Sequence, residues 1–258
     1  MKNILNALFC LLISIILTFE LKAQTNVPDV NFRTFLNSIH GITFDVSNNI
    51  TNPETAASIT VIDVSSKNIS DLTGIELFTF LEQLNCSNNL LTELNISALT
   101  NLKVLYCYNN PLGSIDVSYN INLVTLYCDG NELTSLDVSN NTELETLGCT
   151  VNQLTSLDLS NNLKLKSLGC YSNQLSSLDL SANTSLEFLN CLNNKLSNLN
   201  VSNNPLLTFL DIRFNITPFI LTVWTLPFPP AEGITFTDIN PSSEKVLGSL
   251  PARLVCHI

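Results

Sequence analysis

Six cysteines, Cys86, Cys107, Cys128, Cys149, Cys170 and Cys191, fall 21 residues apart without a slip. A thiol can close a disulfide, capture a soft metal or attack as a nucleophile, and each role needs its own surroundings. The spacing argues against a disulfide framework. A fixed period of this size implies stacked coils. Equivalent positions then lie about 4.8 Å apart with parallel side chains. A disulfide wants Cβ atoms about 3.8 Å apart and aimed at each other. The row reads as a ladder of buried, reduced thiols packing as small hydrophobes, with partial disulfide formation or soft-metal capture as the sharper alternative.

Other reactive groups are sparse. The two histidines, His40 and His257, both lie outside the period. No nucleophile–base pair and no phosphate-cradling glycine loop can be assembled, so neither a catalytic residue nor a cofactor is expected. Asp116, Asp137, Asp158 and Asp179 form a second periodic row, flanked by Asn95 and Asn200. Each aspartate precedes Val or Leu and then Ser, a pattern suited to accepting backbone N–H bonds at a turn; a calcium-lined ridge is the functional alternative. Asp45 to Asn49, followed by Glu54, resembles a calcium loop but is two residues short and lacks the central glycine. It reads as a polar connector, and no metal site is expected.

The elements that must position these groups follow from the same beat. Leucines at 81, 102, 123, 144, 165, 186 and 207 recur with a second row at 84, 105, 126, 147, 168, 189 and 210. Asparagines at 89, 110, 131, 152, 173, 194 and 215 make a third row. In one unit, Leu126 and Cys128 alternate inward along a short strand while Thr125, Tyr127 and Asp129 point out. Asn131 stands where the chain turns and can satisfy backbone groups stranded at the bend. Leu133, Leu136 and Val138 fill the core from the opposite wall, in a return segment too short for a full helix. The fold class is therefore a repeat solenoid, with a parallel β-sheet on one face and extended or turn segments on the other.

The unit Leu123-Val124-Thr125-Leu126-Tyr127-Cys128-Asp129-Gly130-Asn131-Glu132-Leu133 matches the pattern L-x-x-L-x-C-x-x-N-x-L. It resembles the leucine-rich repeat family, and the short unit with cysteine in the strand is similar to the bacterial internalin-like branch. Val27-Pro28-Asp29, with Phe32, resembles the N-terminal caps of such proteins. The resemblance implies a non-catalytic recognition module, with adhesion or host contact as its use.

The remaining chain divides around this array. Residues 1–23 read as a secretory signal: Lys2, an apolar core, and Leu21-Lys22-Ala23 before Gln24. Its removal takes Lys2, Lys22 and Glu20, leaving 9 basic and 21 acidic residues, about −12. Such a surface repels phosphate backbones and anionic lipid, so neither nucleic acid nor membrane insertion is expected. Residues 24–58 read as an N-terminal cap, with Pro28 opening a small amphipathic helix that carries Phe32, Phe35, Leu36 and Ile39. The array spans 59–217. Its first coil (Ile59, Ile62, Val64, Ile69, Leu72) is offset by 22, and its last decays at Ile212 and Thr217. Residues 218–258 abandon the period, and Phe219 to Trp224 are placed to close the core. No second domain or anchoring signal is expected beyond Phe228.

The outward strand positions are the default binding surface of a solenoid. Tyr106, Tyr108, Tyr127, Tyr171, Phe188 and Phe209 lie there with Asp129 and Arg213, and Gly148 and Gly169 leave a bare strip between two aromatic clusters. Exposed aromatics on a rigid sheet give contact area at low entropic cost, although aromatics also favour strands on packing grounds alone. The expected partner is an extracellular or cell-surface protein. A glycan is the alternative, and a purely structural envelope component the third reading.

Overall fold

The computed structural model describes residues 26–216, 219–223 and 252–256. Residues 1–23, read above as a secretory signal, lie outside the described residues, as do Trp224, His257 and most of the tail.

Helix α1 (Val30–His40) and the short helix α2 (Pro53–Ser58) lead into β1 (Val61–Asp63). Pro28 does not open α1. Asp29 caps it instead, its Oδ1 accepting from the N–H groups of Asn31 and Phe32, both at 2.9 Å. A carboxylate satisfies the orphan donors of a first turn better than a residue that merely tolerates their absence. The other oxygen of Asp29 accepts from Ser70 N (2.9 Å), which fastens the cap to the first coil. Phe32 and Leu36 are fully buried, Phe35 partly so, and Ile39 faces solvent. The sequence reading missed α2, whose six residues are too few to show a period. The connector before it is a turn in which Asp45 Oδ1 accepts from Ser47 N (2.8 Å) and Asn49 N (2.9 Å).

Eight three-residue strands then form one parallel sheet: β1, β2 (Gln83–Asn85), β3 (Val104–Tyr106), β4 (Thr125–Tyr127), β5 (Thr146–Gly148), β6 (Ser167–Gly169), β7 (Phe188–Asn190) and β9 (Phe209–Asp211). Every pair is in register by one coil, so Leu84 faces Leu105, Leu105 faces Leu126, and so on to Leu189 and Leu210. The thiol row extends the pairing past each strand: Cys107 N donates to Tyr127 O (2.9 Å) and Cys128 N to Gly148 O (2.8 Å). All six cysteines are free and fully buried. Burial pushes the Cys86 and Cys191 thiols up to about 12, and the four between them also rise well above the ordinary thiol value. Thiols held protonated in this way pack as apolar side chains.

Two asparagine ladders lace the coils. Asn110 Nδ2 donates to Cys86 O (3.1 Å) and Cys107 O (3.0 Å), while its Oδ1 accepts from Leu91 N (3.1 Å). The pattern fails once, beside Pro111. There Gly113 N donates to Asn131 O, and the buried Asn131 Oδ1 has no partner among the described residues. The second ladder was missed in the sequence, although it keeps the same period: Asn120, Asn141, Asn162, Asn183 and Asn204, all fully buried on the return side. Asn141 Nδ2 donates to Val117 O (3.0 Å) and Asn120 O (2.9 Å). A column of left-handed residues, at 88, 109, 130, 151, 172, 193 and 214, turns the chain out of each strand.

The return segments carry no helix between residues 81 and 216. The aspartate row there serves the turns: Asp116, Asp137, Asp158 and Asp179 each accept from the N–H of the serine two residues on, at 2.9 Å. The hydroxyl and N–H of that serine hold each carboxyl below its ordinary value. Past residue 217 the sequence period is lost but the stack continues. Strand β10 (Phe219–Val223) pairs in parallel with β8 (Asn198–Asn200), Leu221 opposite Leu199, and β11 (Ala252–Cys256) runs antiparallel to β10. Leu221 is fully buried, whereas Ile220 is 37% exposed.

Candidate functional site

Because successive strands are in register, residues 21 apart in sequence become neighbours on the outer face. Two aromatic pairs result. The rings of Tyr106 and Tyr127 lie 5.5 Å apart, and those of Phe188 and Phe209 stack at 4.4 Å with an interplanar angle of 6°. Between the pairs run Gly148 and Gly169, and a groove of about 590 Å³ opens over them. Tyr108, Tyr127, Asp129, Tyr171 and Phe188 all line this groove.

The strip between the pairs is not bare. Tyr127 leans over Gly148, where a Cβ would sit 2.5 Å from its Cδ1. The ring is partly buried, and burial, then Tyr106, then Asp129 raise its phenol above the ordinary value. Thr150 anchors the carboxylate of Asp129 by donating to Oδ1 from its N–H (2.8 Å) and its hydroxyl. The other oxygen, Oδ2, points across the glycine floor, 2.9 Å from where a Gly148 Cβ would stand.

Three of the sequence-predicted residues stand outside the groove. Tyr106 backs it through its ring contact with Tyr127. Phe209 backs it through its stack on Phe188. Arg213 is held by Asp211, with Nη2 at 2.7 Å and Nε at 3.0 Å from the two carboxylate oxygens. Thr150, Ser167 and Asn190, outward strand positions in the sequence, also line the groove, together with Asn109 and Val151, which the sequence reading missed. Their period was the only signal, and it does not tell which outward side chains converge. Among the described residues, no group of three or more His, Cys, Asp or Glu side chains is placed to hold a metal.

A family profile described as leucine-rich repeats (2 copies) matches residues 79–120. The functional domain of InlJ from Listeria monocytogenes, which includes a cysteine ladder, is 31% identical over 74% of this chain, with a TM-score of 0.52. The chain is a leucine-rich repeat solenoid.

Its repeat arrangement closely matches that of the internalin-like Listeria proteins that carry a cysteine ladder. The chain spans about half (51%) of the InlJ domain's length. Internalin C2 of the same organism shares the fold at 20% identity and a TM-score of 0.67, over 75% of this chain and 89% of that one. A leucine-rich repeat protein of Leptospira interrogans is 29% identical, with a TM-score of 0.52, over 55% of this chain and 39% of its own. No curated protein sequence is significantly similar. The six ladder thiols of this leucine-rich repeat chain are sealed in its interior. No helix among the described residues is long and apolar enough to cross a membrane.

Proposed function

We propose that the chain is an exported recognition module whose strand-bearing face binds a protein outside the cell, at a cell surface. The observation that carries this reading is the convergence of three tyrosines, one phenylalanine and one carboxylate on a single groove over an eight-stranded sheet. Aromatic anchors on a rigid support dominate binding energy at protein interfaces. In-register coils supply that rigidity, because each side chain's position is fixed by two neighbours. The likeness to internalin-like domains and the secretory pattern of residues 1–23 support an extracellular setting.

The test compares the mature chain with a Tyr127→Ala, Phe188→Ala double variant in capture from extracellular proteins, run beside a glycan array. Capture of a protein by the parent and its loss in the folded variant is the expected result. Binding confined to glycans would instead assign a lectin-like role. Capture unchanged by the variant would remove the face from consideration, and no binding to either would leave a structural envelope component.

A further inference from the structure

Resting on that reading, we infer that the groove over Gly148 receives a cationic side chain, lysine or arginine, from the protein partner. Three features converge. The walls are aromatic: Tyr108 and Tyr127 stand on one side, Tyr171 and Phe188 on the other. A ring face carries negative quadrupolar charge, and a desolvated ammonium or guanidinium gains from lying over it. The floor holds one carboxylate, Asp129, fixed at Oδ1 by Thr150 and turned so that Oδ2 overlooks the glycine. An anion anchored from behind, with an oxygen directed into an aromatic groove, is complementary to a buried cation.

The third feature is the distribution of the protein's own positive charge. Among the described residues, no lysine or arginine lines the groove. Arg213, on the same face, is engaged by Asp211. Lys103, Lys164 and Lys166 pair with Glu82, Glu143 and Glu145, each on the preceding coil. The whole chain carries −11. Its field therefore draws basic partners, and the groove is where an arriving cation meets aromatic faces together with a carboxylate oxygen that no described residue engages. A volume of about 590 Å³ accommodates such a side chain with its flanking backbone.

The experiment uses the intact mature chain and a defined probe, the peptide acetyl-Gly-Gly-Lys-Gly-Gly-amide, against the same peptide with an Nε-acetylated lysine. Binding is followed by tyrosine fluorescence and by NMR of the aromatic rings. The lysine peptide is expected to perturb Tyr127 and Tyr171, and acetylation to weaken binding by about 5- to 30-fold, with a loss of similar size in Asp129→Asn. Asparagine keeps an oxygen for Thr150, so this variant removes charge without removing the anchor. Circular dichroism on each variant verifies its fold. Equal binding of the two peptides, or an unchanged affinity in Asp129→Asn, overturns the inference. Phosphocholine, a cation from a lipid source, is run as a further arm, and tighter binding of it than of the lysine peptide also overturns the assignment to a protein side chain. The two readings fail separately. If Tyr127→Ala, Phe188→Ala abolishes partner capture while Asp129→Asn leaves it intact, the protein-binding face stands and the cation assignment falls. If lysine-peptide binding follows Asp129 but no face variant alters partner capture, the groove binds cations and the protein-binding face falls.

Discussion

Tyr127 lies across Gly148 so closely that a methyl group on that glycine would stand 2.5 Å from the ring's Cδ1 and 2.9 Å from its Cε1. The glycine on β5 is thus part of how the tyrosine on β4 is aimed. Gly148→Ala should push the ring out of the groove, at a cost of about 1–3 kcal/mol in overpacking. Near-ultraviolet circular dichroism should report the displaced tyrosine, and partner capture should fall. An unchanged tyrosine signal would show that the ring is not held by this contact.

The return-side ladder predicts a strong position dependence among asparagines. Asn141 is fully buried and serves two carbonyls, whereas the exposed Asn161 serves only Ser139 O, at 3.1 Å. Asn141→Ala removes two buried hydrogen bonds, although Val117 O and Asn120 O each keep one backbone donor (Asn120 N and Leu123 N), and should cost ~1–2 kcal/mol. Asn161→Ala should stay within ~0.5 kcal/mol. Urea unfolding of the two variants makes the comparison.

Val151 occupies the left-handed column at φ 52, where its neighbours along the stack are Gly130 and Ser172. A β-branched residue is strained there, and asparagine tolerates the conformation. Val151→Asn should raise stability by about 1 kcal/mol, and Asn193→Val, at φ 54, should lower it by a similar amount. A rise in melting temperature for the first and a fall for the second is the expected pair of results.

Leu147 and Leu207 are both buried, at 1% and 2% exposure, but only Leu147 lies in the middle of the array. A carboxylate at Leu147 has apolar coils above and below it and cannot reach water. Leu147→Asp should therefore cost ~4 kcal/mol or more and disrupt the array, while Leu207→Asp frays its end. Thermal melts showing the reverse order would contradict cooperative stacking.

Two acid windows follow from the titrating groups. Burial lowers His40 from its ordinary 6.5, so the unfolded chain takes up the proton first and stability falls as pH drops below that value. For Asp29, burial acts to raise the carboxyl, but the hydrogen bonds from Ser70, Phe32 and Asn31 outweigh it and bring it below 3.8. Its contribution is complete above 3.8 and disappears as pH falls through the depressed folded value. Melting temperatures should step down in both windows, with His40→Gln reducing the first step and Asp29→Asn the second.

Much of this architecture was legible in the sequence because an error-free period leaves one register. Leu105 can face only Leu126, and Cys107 only Cys128, if every 21-residue coil repeats the last. The missed features had weaker signals. Helix α2 is a turn and a half, too short for periodicity. Asn120 and its fellows kept the beat, yet the polar type alone does not reveal that they point inward. Strand β10 stacks on β8 through backbone hydrogen bonds, which need no sequence repeat.

The sequence by itself determined the stack, its buried leucine and cysteine columns, and the set of residues that line the outer face, since those depend only on spacing and apolar burial. Tertiary structure alone decided which of the outer residues act together. Tyr127 leans onto the next coil's glycine, Thr150 reaches back to hold Asp129, and Asp211 takes Arg213 out of the set. Each is a choice of side-chain direction between neighbours one strand apart in space, which a linear period does not encode.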